Sequence, residues 1–265
     1  MDTAILPAAL ASSATRLTDL VIEANFVSPR VMAASKTDRS EPEWPIHPSR
    51  LFSAMVAALH TIPEMDPAFA DAEAAVEWME TLGPPEVHAA AADGSVRSLA
   101  YVPFNDVSVV KGKSLLLEAC LPDSPRRKKG REFPGVSVPV PVIRYAWQVD
   151  PAELALRRTG LQIVLSRISY LGRSVNFVVM RLFEVAPDLL PHAAALEHWI
   201  PSLHGPLRMR TFGPGRLEHL RMLYQAGKPV DHGPASVYRC AETETAPAGV
   251  APGPWSRVWT TFALS

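Results

Sequence analysis

Proline restricts this chain more than any other residue. There are 26 among 265 residues, nearly twice the roughly 5% usual in proteins, and each fixes φ and removes a backbone donor. Long uninterrupted helices, coiled coils and helical solenoids are thereby disfavoured, and short elements joined by long structured connections are expected. With 48% apolar residues, 20% charged residues and a formal net charge of −1, the chain is too apolar to stay unfolded and too neutral to be a polyelectrolyte. It can bury a core without disulfides or a structural metal. Cys120 and Cys240 form no paired motif, which fits a reducing cytoplasm. The apolar start from Met1 to Ala14 has no basic flank and reads as a tail over residues 1–16 rather than a signal peptide. No apolar run reaches the roughly 18 residues of a membrane span, so a cytoplasmic protein without a membrane partner is expected.

The near-zero net charge hides an asymmetry. Residues 126–173 carry ten Lys or Arg against three acids, while the rest of the chain carries 16 basic and 24 acidic residues. The densest part is Arg126, Arg127, Lys128, Lys129 and Arg131, set among Pro122, Pro125, Gly130 and Pro134. Such a segment reads as an exposed loop or hairpin tip, either solvated or in contact with a polyanion. The extended stretch Val138 to Trp147 follows, with Arg144, Tyr145 and Trp147. Cations hold phosphates and aromatic faces stack bases, while two aromatics on one strand face are equally suited to a core.

The periodicities give a coarse order. Leu17 to Phe26 reads as a first strand. Pro48 opens a helix with Leu51, Phe52, Met55, Val56 and Leu59 on one face, and Asp66-Pro67 opens a second that ends at Gly83. Strands are predicted over Ser98 to Phe104, Ser114 to Ala119 and Val140 to Trp147, the last partly an edge because of Pro139 and Pro141. Asp150-Pro151-Ala152-Glu153 caps a further helix, kinked at Gly160 and ended by Gly172. Val175 to Val185, almost continuously apolar, reads as a central strand. This is an α+β chain in the βαββαβ order of a ferredoxin-like or RRM-like domain, over residues 17–186, with a basic hairpin near 122–147. A C-terminal extension over 187–265 is expected to pack on it. It holds helices around His192 to Trp199 and Leu217 to Tyr224, a Pro-rich loop over Ala246 to Pro254 and a final strand over Trp255 to Leu264.

Cofactor chemistry is not written here. The eight histidines show no HxxxH, HxH or HExxH spacing, and there is no Walker loop and no GxSxG elbow. No cofactor, metal ligand or catalytic residue is therefore assigned. His47 and His204 are the candidates for a general base if the chain cleaves RNA without metal, against a capping or surface role for each.

Two segments point to a family. Glu43-Trp44-Pro45-Ile46-His47-Pro48-Ser49-Arg50-Leu51-Phe52, followed by an Ala-rich helix, and Tyr170-Leu171-Gly172-Arg173-Ser174 further on, resemble the type I-U (also called I-G) CRISPR-associated proteins. In these a Cas-five-like subunit is fused to a Cas-six-like RNA-processing domain. The basic segment from Arg126 to Pro134 is similar to the family's proline-flanked middle, and the likeness spans about Leu17 to Tyr224. An acidic residue follows the serine of the second motif in the family, where Val175 and Asn176 stand here.

The resemblance implies the Cas-five-like half of the fusion, a RAMP-superfamily subunit that caps the foot of a Cascade complex and holds the 5′ handle of the CRISPR RNA. Endoribonuclease activity would belong to the Cas-six-like half. Partners would be the CRISPR RNA, the backbone and large Cascade subunits, and target DNA near the PAM end. Arg126, Arg127, Lys128, Lys129 and Arg131 would form a thumb-like hairpin, with Arg144 and Tyr145 behind it to clamp splayed bases, and Arg50 at a helix start and Arg173 at a helix end are further RNA-binding candidates, Arg173 equally explained there by the helix dipole. Trp44 would anchor the core, and Arg50 could equally pair within the fold. Two other functions fit the residues: a metal-independent endoribonuclease processing repeat RNA, and a protein-interaction module whose basic loop meets an acidic partner.

Overall fold

Alternation in the first strand, β1 (Thr18–Phe26), sends Leu20, Ile22, Ala24 and Phe26 to one face and Val21 and Glu23 to the other, and all six are buried. A strand covered on both faces belongs inside a layered core. The computed structural model describes residues 17–103, 128–231 and 233–241. The tail over 1–16, the strand expected over Ser114 to Ala119, the loop over Ala246 to Pro254 and the final strand over Trp255 to Leu264 lie outside them.

After the short strand β2 (Arg30–Val31), helix α1 (Pro48–Leu59) begins with proline in its first turn and buries Leu51, Phe52, Met55 and Leu59. Each such side chain removed from water contributes about 1.5–3 kcal/mol. Helix α2 (Pro67–Thr81) is capped by Asp66, whose carboxylate accepts from the Ala68 amide at 2.9 Å. It ends before Gly83, at φ 73°. Strand β3 (Glu86–Ala89) follows, then β4 (Gly94–Pro103), β5 (Lys128–Ser137) and β6 (Val142–Val149). Helix α3 (Pro151–Ser166), capped by Asp150 on the Ala152 amide at 2.8 Å, leads to β7 (Val178–Phe183). The chain continues through β8 (Glu197–Ser202), β9 (Leu207–Arg210), α4 (Arg216–Gln225) and β10 (Ala235–Cys240).

The larger sheet has the order β7-β1-β6-β3-β8-β10-β9, and its pairings are antiparallel. Its first four strands are the fourth, first, third and second of a βαββαβ unit, which is the ferredoxin-like arrangement. The C-terminal strands extend the same sheet from β3 outward. β4 and β5 form a long hairpin that leaves this sheet and pairs with β2 instead.

Four local expectations are corrected, and β3 is a strand that the periodicities did not show. Glu86 to Ala89, short and preceded by two prolines, gives no alternation long enough to read, yet it is the second strand of the unit. β6 is central rather than an edge, because Pro139 and Pro141 precede its first residue. β7 lies at the edge, shorter than its apolar run, with Val179 half exposed. The segment expected as a helix around His192 to Trp199 is a 3-10 turn over Ala193–Ala195 followed by β8. α3 also runs through Gly160 without interruption. There the Asp71 carbonyl of α2 approaches so closely that a Cβ would lie 2.1 Å from its oxygen, so this glycine serves contact between helices and not a bend.

Candidate nucleic-acid interface

Ser49, Ser53, Ala54 and Ala57 of α1 and Thr61 just beyond its end are small residues that floor a cleft of about 750 Å³. Its walls are cationic. Lys36 and Arg39 come from the loop after β2, Arg50 from α1, Arg167 and Arg173 from either end of the turn after α3, and Arg210 and Arg216 from β9 and the start of α4. Among the described lining residues Asp231 is the one carboxylate. A second hollow of about 360 Å³ adjoins it through Ser35, Lys36 and Arg210 and adds His47 and Arg208.

Glu43 organises this region from below. Its buried carboxylate accepts from Arg50 Nε at 2.6 Å and from the Arg210 guanidinium, and Arg50 also donates to the Ala34 carbonyl at 2.7 Å. Burial pushes the Glu43 carboxyl up, but the Arg50 hydrogen bond, His47 and the Arg50 and Arg210 charges together hold it below the ordinary carboxylate value. The acid and the arginine of the first motif are thus a clamp between the loop after β2, α1 and β9. Trp44 donates its indole N–H to the Ala90 carbonyl at 2.9 Å and tilts against Phe26, as expected for a core anchor.

The second motif forms the opposite wall. Gly172 has φ 87°, and Asn176, almost fully buried, accepts from the Met32 amide at 2.8 Å and donates to the Met32 and Leu171 carbonyls at 2.8 and 3.0 Å. This amide pins the turn to the segment after β2, using both acceptor and donors, which a carboxylate could not do. Tyr170 is 48% exposed at the rim. The Arg173 guanidinium lies 4.2 Å from the Phe133 ring centre, which ties this wall to the β5 arm of the hairpin. Arg131, two residues earlier on β5 and on the same strand face, is exposed.

The crowding of cations leaves its mark. Lys36 sits below the ordinary lysine value because it is desolvated and because Arg210, Arg216 and Arg50 oppose its charge, with Asp231 pulling the other way. Arg173 is lowered by burial and by Arg50. A polyanion in the cleft would relieve this repulsion.

The predicted site residues divide. Arg50 and Arg173 line the cleft, and Arg131 extends it along the hairpin. Lys128 and Lys129 open β5, opposite Pro103 and Val102 of β4, and Arg126 and Arg127 lie outside the described residues. Arg144 and Tyr145 are corrected. Arg144 is 1% exposed on the back of the sheet, where it pairs with Glu23 at 3.0 Å and donates to the Pro187 and Pro191 carbonyls. The 3-10 turns after β7 cover that face. Tyr145 points into the core on the other face and donates to the Ile46 carbonyl at 2.8 Å, while Trp147 donates to the Gly83 carbonyl at 3.1 Å. Neither residue at 144–145 presents a surface to RNA.

The residues that sequence reasoning missed are Lys36, Arg39, Arg210 and Arg216, cations isolated in the sequence and brought together only by the fold. Of the two candidate bases, His204 is exposed in the turn after β8. His47 is built into the clamp. Its Nδ1 accepts from the Arg210 amide at 3.3 Å, and burial, assisted by Arg210 and Arg50 against the pull of Glu43, pushes it down to about 4. Among the described residues no helix is long and apolar enough to cross a membrane.

The family described as CRISPR-associated protein, GSU0054 family, matches residues 12–249. No curated protein matches the chain. A solved structure of a CRISPR protein from Archaeoglobus fulgidus is similar over 71% of this chain and 72% of that one, at 11% identity and a TM-score of 0.36, a likeness too distant to carry an argument.

Proposed function

We propose that this chain, which belongs to the CRISPR-associated GSU0054 family, is a non-catalytic RNA-binding subunit of a type I-U (I-G) effector. It would be the Cas-five-like half of that system, holding the 5′ handle of the CRISPR RNA beside the backbone and large subunits. The observation that carries the reading is the cationic cleft floored by α1 and joined to the hairpin through Arg173 and Phe133. Isolated cations attract any polyanion. A groove with cations on three sides, a floor of serines and alanines and an exposed tyrosine at its rim suits a single strand, whose phosphates lie along the walls while a base stacks on Tyr170. Arg126, Arg127, Lys128, Lys129 and Arg131 would grip the backbone beyond the rim.

His47 has a structural use that accounts for it, as the acceptor of the Arg210 amide of β9 beside Glu43, which favours binding over cleavage. The test incubates the full chain with end-labelled repeat RNA from its own locus in the presence of chelator, scoring retention and cleavage in one gel. Retention without cleavage, weakened at least tenfold by charge reversal at Arg126, Arg127, Lys128 and Lys129, is the expected result. Discrete cleavage abolished by His47→Ala would replace this reading with the nuclease. Equal retention of an acidic polypeptide would replace it with a protein-interaction module.

A further inference from the structure

The back of the larger sheet holds a second group of side chains that the RNA reading does not use. Glu86 and His88 alternate onto the same face of β3, and His198 of β8 stands directly opposite His88 in the antiparallel register. The two imidazoles stack with ring centres 4.2 Å apart and planes 11° from parallel. His198 Nε2 lies 2.8 Å from a Glu86 carboxylate oxygen. His88 Nε2 is buried and has no hydrogen-bond partner among the described residues. Each of the three side chains offers one ligand atom, and these atoms all lie within 4.8 Å of one another.

We propose that Glu86, His88 and His198 bind a divalent transition metal ion of the zinc class. Two imidazole nitrogens and one carboxylate oxygen are the ligand types such an ion takes in a tetrahedral site with one open position. Zn–N bonds of about 2.1 Å put ligand atoms ~3.5 Å apart, so small side-chain rotations close the set. The unpaired His88 nitrogen is the strongest sign, because a buried imidazole nitrogen without a partner loses the hydrogen bond it would have to water, and a metal ion would satisfy it. The other charges that face His88 are those of Arg144 and Asp188. The opposing charge of Arg144 is itself committed to Glu23 at 3.0 Å. Glu86 and His198 are 47% and 33% exposed, so the open position faces solvent.

The site would clip β3, the strand at the edge of the ferredoxin-like unit, to β8, the first strand of the extension. No ligand spacing announced it, since its partners are joined by sheet register across more than a hundred residues.

The test treats the full chain with chelator, dialyses it, and titrates it with Zn²⁺ alone and then Co²⁺ alone. One equivalent should bind with a Kd of about 10 μM or tighter, raise the melting temperature by several degrees and give the intense visible absorption of tetrahedral Co²⁺. His198→Ala should weaken binding at least tenfold. Glu86→Gln keeps a hydrogen-bond acceptor for His198 while removing the carboxylate, and should weaken binding likewise in a protein that melts normally without metal. His219→Gln, which alters the separate pair with Asp231, should change nothing. Absence of binding at about 100 μM free Zn²⁺, or binding that survives both ligand substitutions, would overturn the assignment.

Discussion

The guanidinium of Arg173 lies over the ring of Phe133 at 4.2 Å, so the turn that forms one wall of the cleft and the strand that carries the basic hairpin share a cation and an aromatic face. A half-buried pair of this kind contributes about 1 kcal/mol. Phe133→Leu keeps the apolar bulk and removes the ring. It should lower affinity for repeat RNA about fivefold and stability by no more than about 1 kcal/mol, because RNA binding also loses the alignment of hairpin and cleft. Filter binding of the variant checks this, and unchanged affinity would separate the two features.

Arg39 and Arg167 are exposed on opposite walls of the cleft, which makes them cleaner probes than the clamped Arg50 and Arg210. Arg39→Glu with Arg167→Glu should weaken RNA binding at least tenfold and leave the unfolding midpoint in place. If each cation meets one phosphate, the slope of log K against log salt should also flatten by about 1.4. Tyr170→Ala should cost about 1–3 kcal/mol of binding without altering that slope, as expected for stacking. A flattened slope with Tyr170→Ala would contradict the division of labour between walls and rim.

Glu43 and His47 make the clamp sensitive to acid. Both have folded values below their ordinary ones, Glu43 through Arg50, His47 and Arg210 despite burial, and His47 through burial first. A group whose folded pKa is lowered contributes stability that is complete above its unfolded value and is lost as pH falls through the folded one. The His47 share is therefore complete above 6.5 and drains down to about 4, and the Glu43 share drains below 4.5. The stability difference between the wild type and His47→Gln in urea should fall by about 2 kcal/mol between roughly pH 7 and pH 5, while His88, lowered likewise, adds the same slope to both proteins. Glu43→Gln should destabilise by about 3 kcal/mol near neutrality, since it strands two arginines on one buried acceptor. A pH-independent unfolding midpoint in the wild type would refute the account.

The parts of the fold legible in the sequence were those with local causes. Asp66-Pro67 and Asp150-Pro151 start helices because a side-chain acceptor and a fixed φ act within one turn, and the βαββαβ order follows from counting such elements. Arg144 and Tyr145 show where this stops. Alternation places them on opposite faces of β6, yet the Arg144 face is closed by the Pro187–Leu189 and Ala193–Ala195 turns, which fold back over the sheet from forty or more residues away, and the Tyr145 face by the segment around Ile46 and the main core. Val175 to Val185 failed for a related reason, since apolarity on both faces does not say whether a second strand lies alongside. The cleft was half legible. Arg50 and Arg173 belong to recognisable motifs, whereas Lys36, Arg210 and Arg216 are single cations that α1, β9 and α4 bring to one groove.

Gly160 gives the sharpest test of helix packing, because propensity and contact predict opposite signs. In an exposed helix interior, glycine to alanine stabilises by about 1 kcal/mol. Here the added Cβ would lie 2.1 Å from the Asp71 carbonyl oxygen and 2.8 Å from the Ala75 methyl, and the α2 backbone has no side-chain rotation with which to yield. Overpacking of this kind costs about 1–3 kcal/mol or more, so Gly160→Ala should lower the melting temperature by several degrees. The same substitution at Gly94, where an added Cβ meets nothing within 4 Å, should be nearly neutral. A stabilised Gly160→Ala protein would mean that α2 and α3 are not in backbone contact, and would undo the packing that holds the helical layer against the sheet.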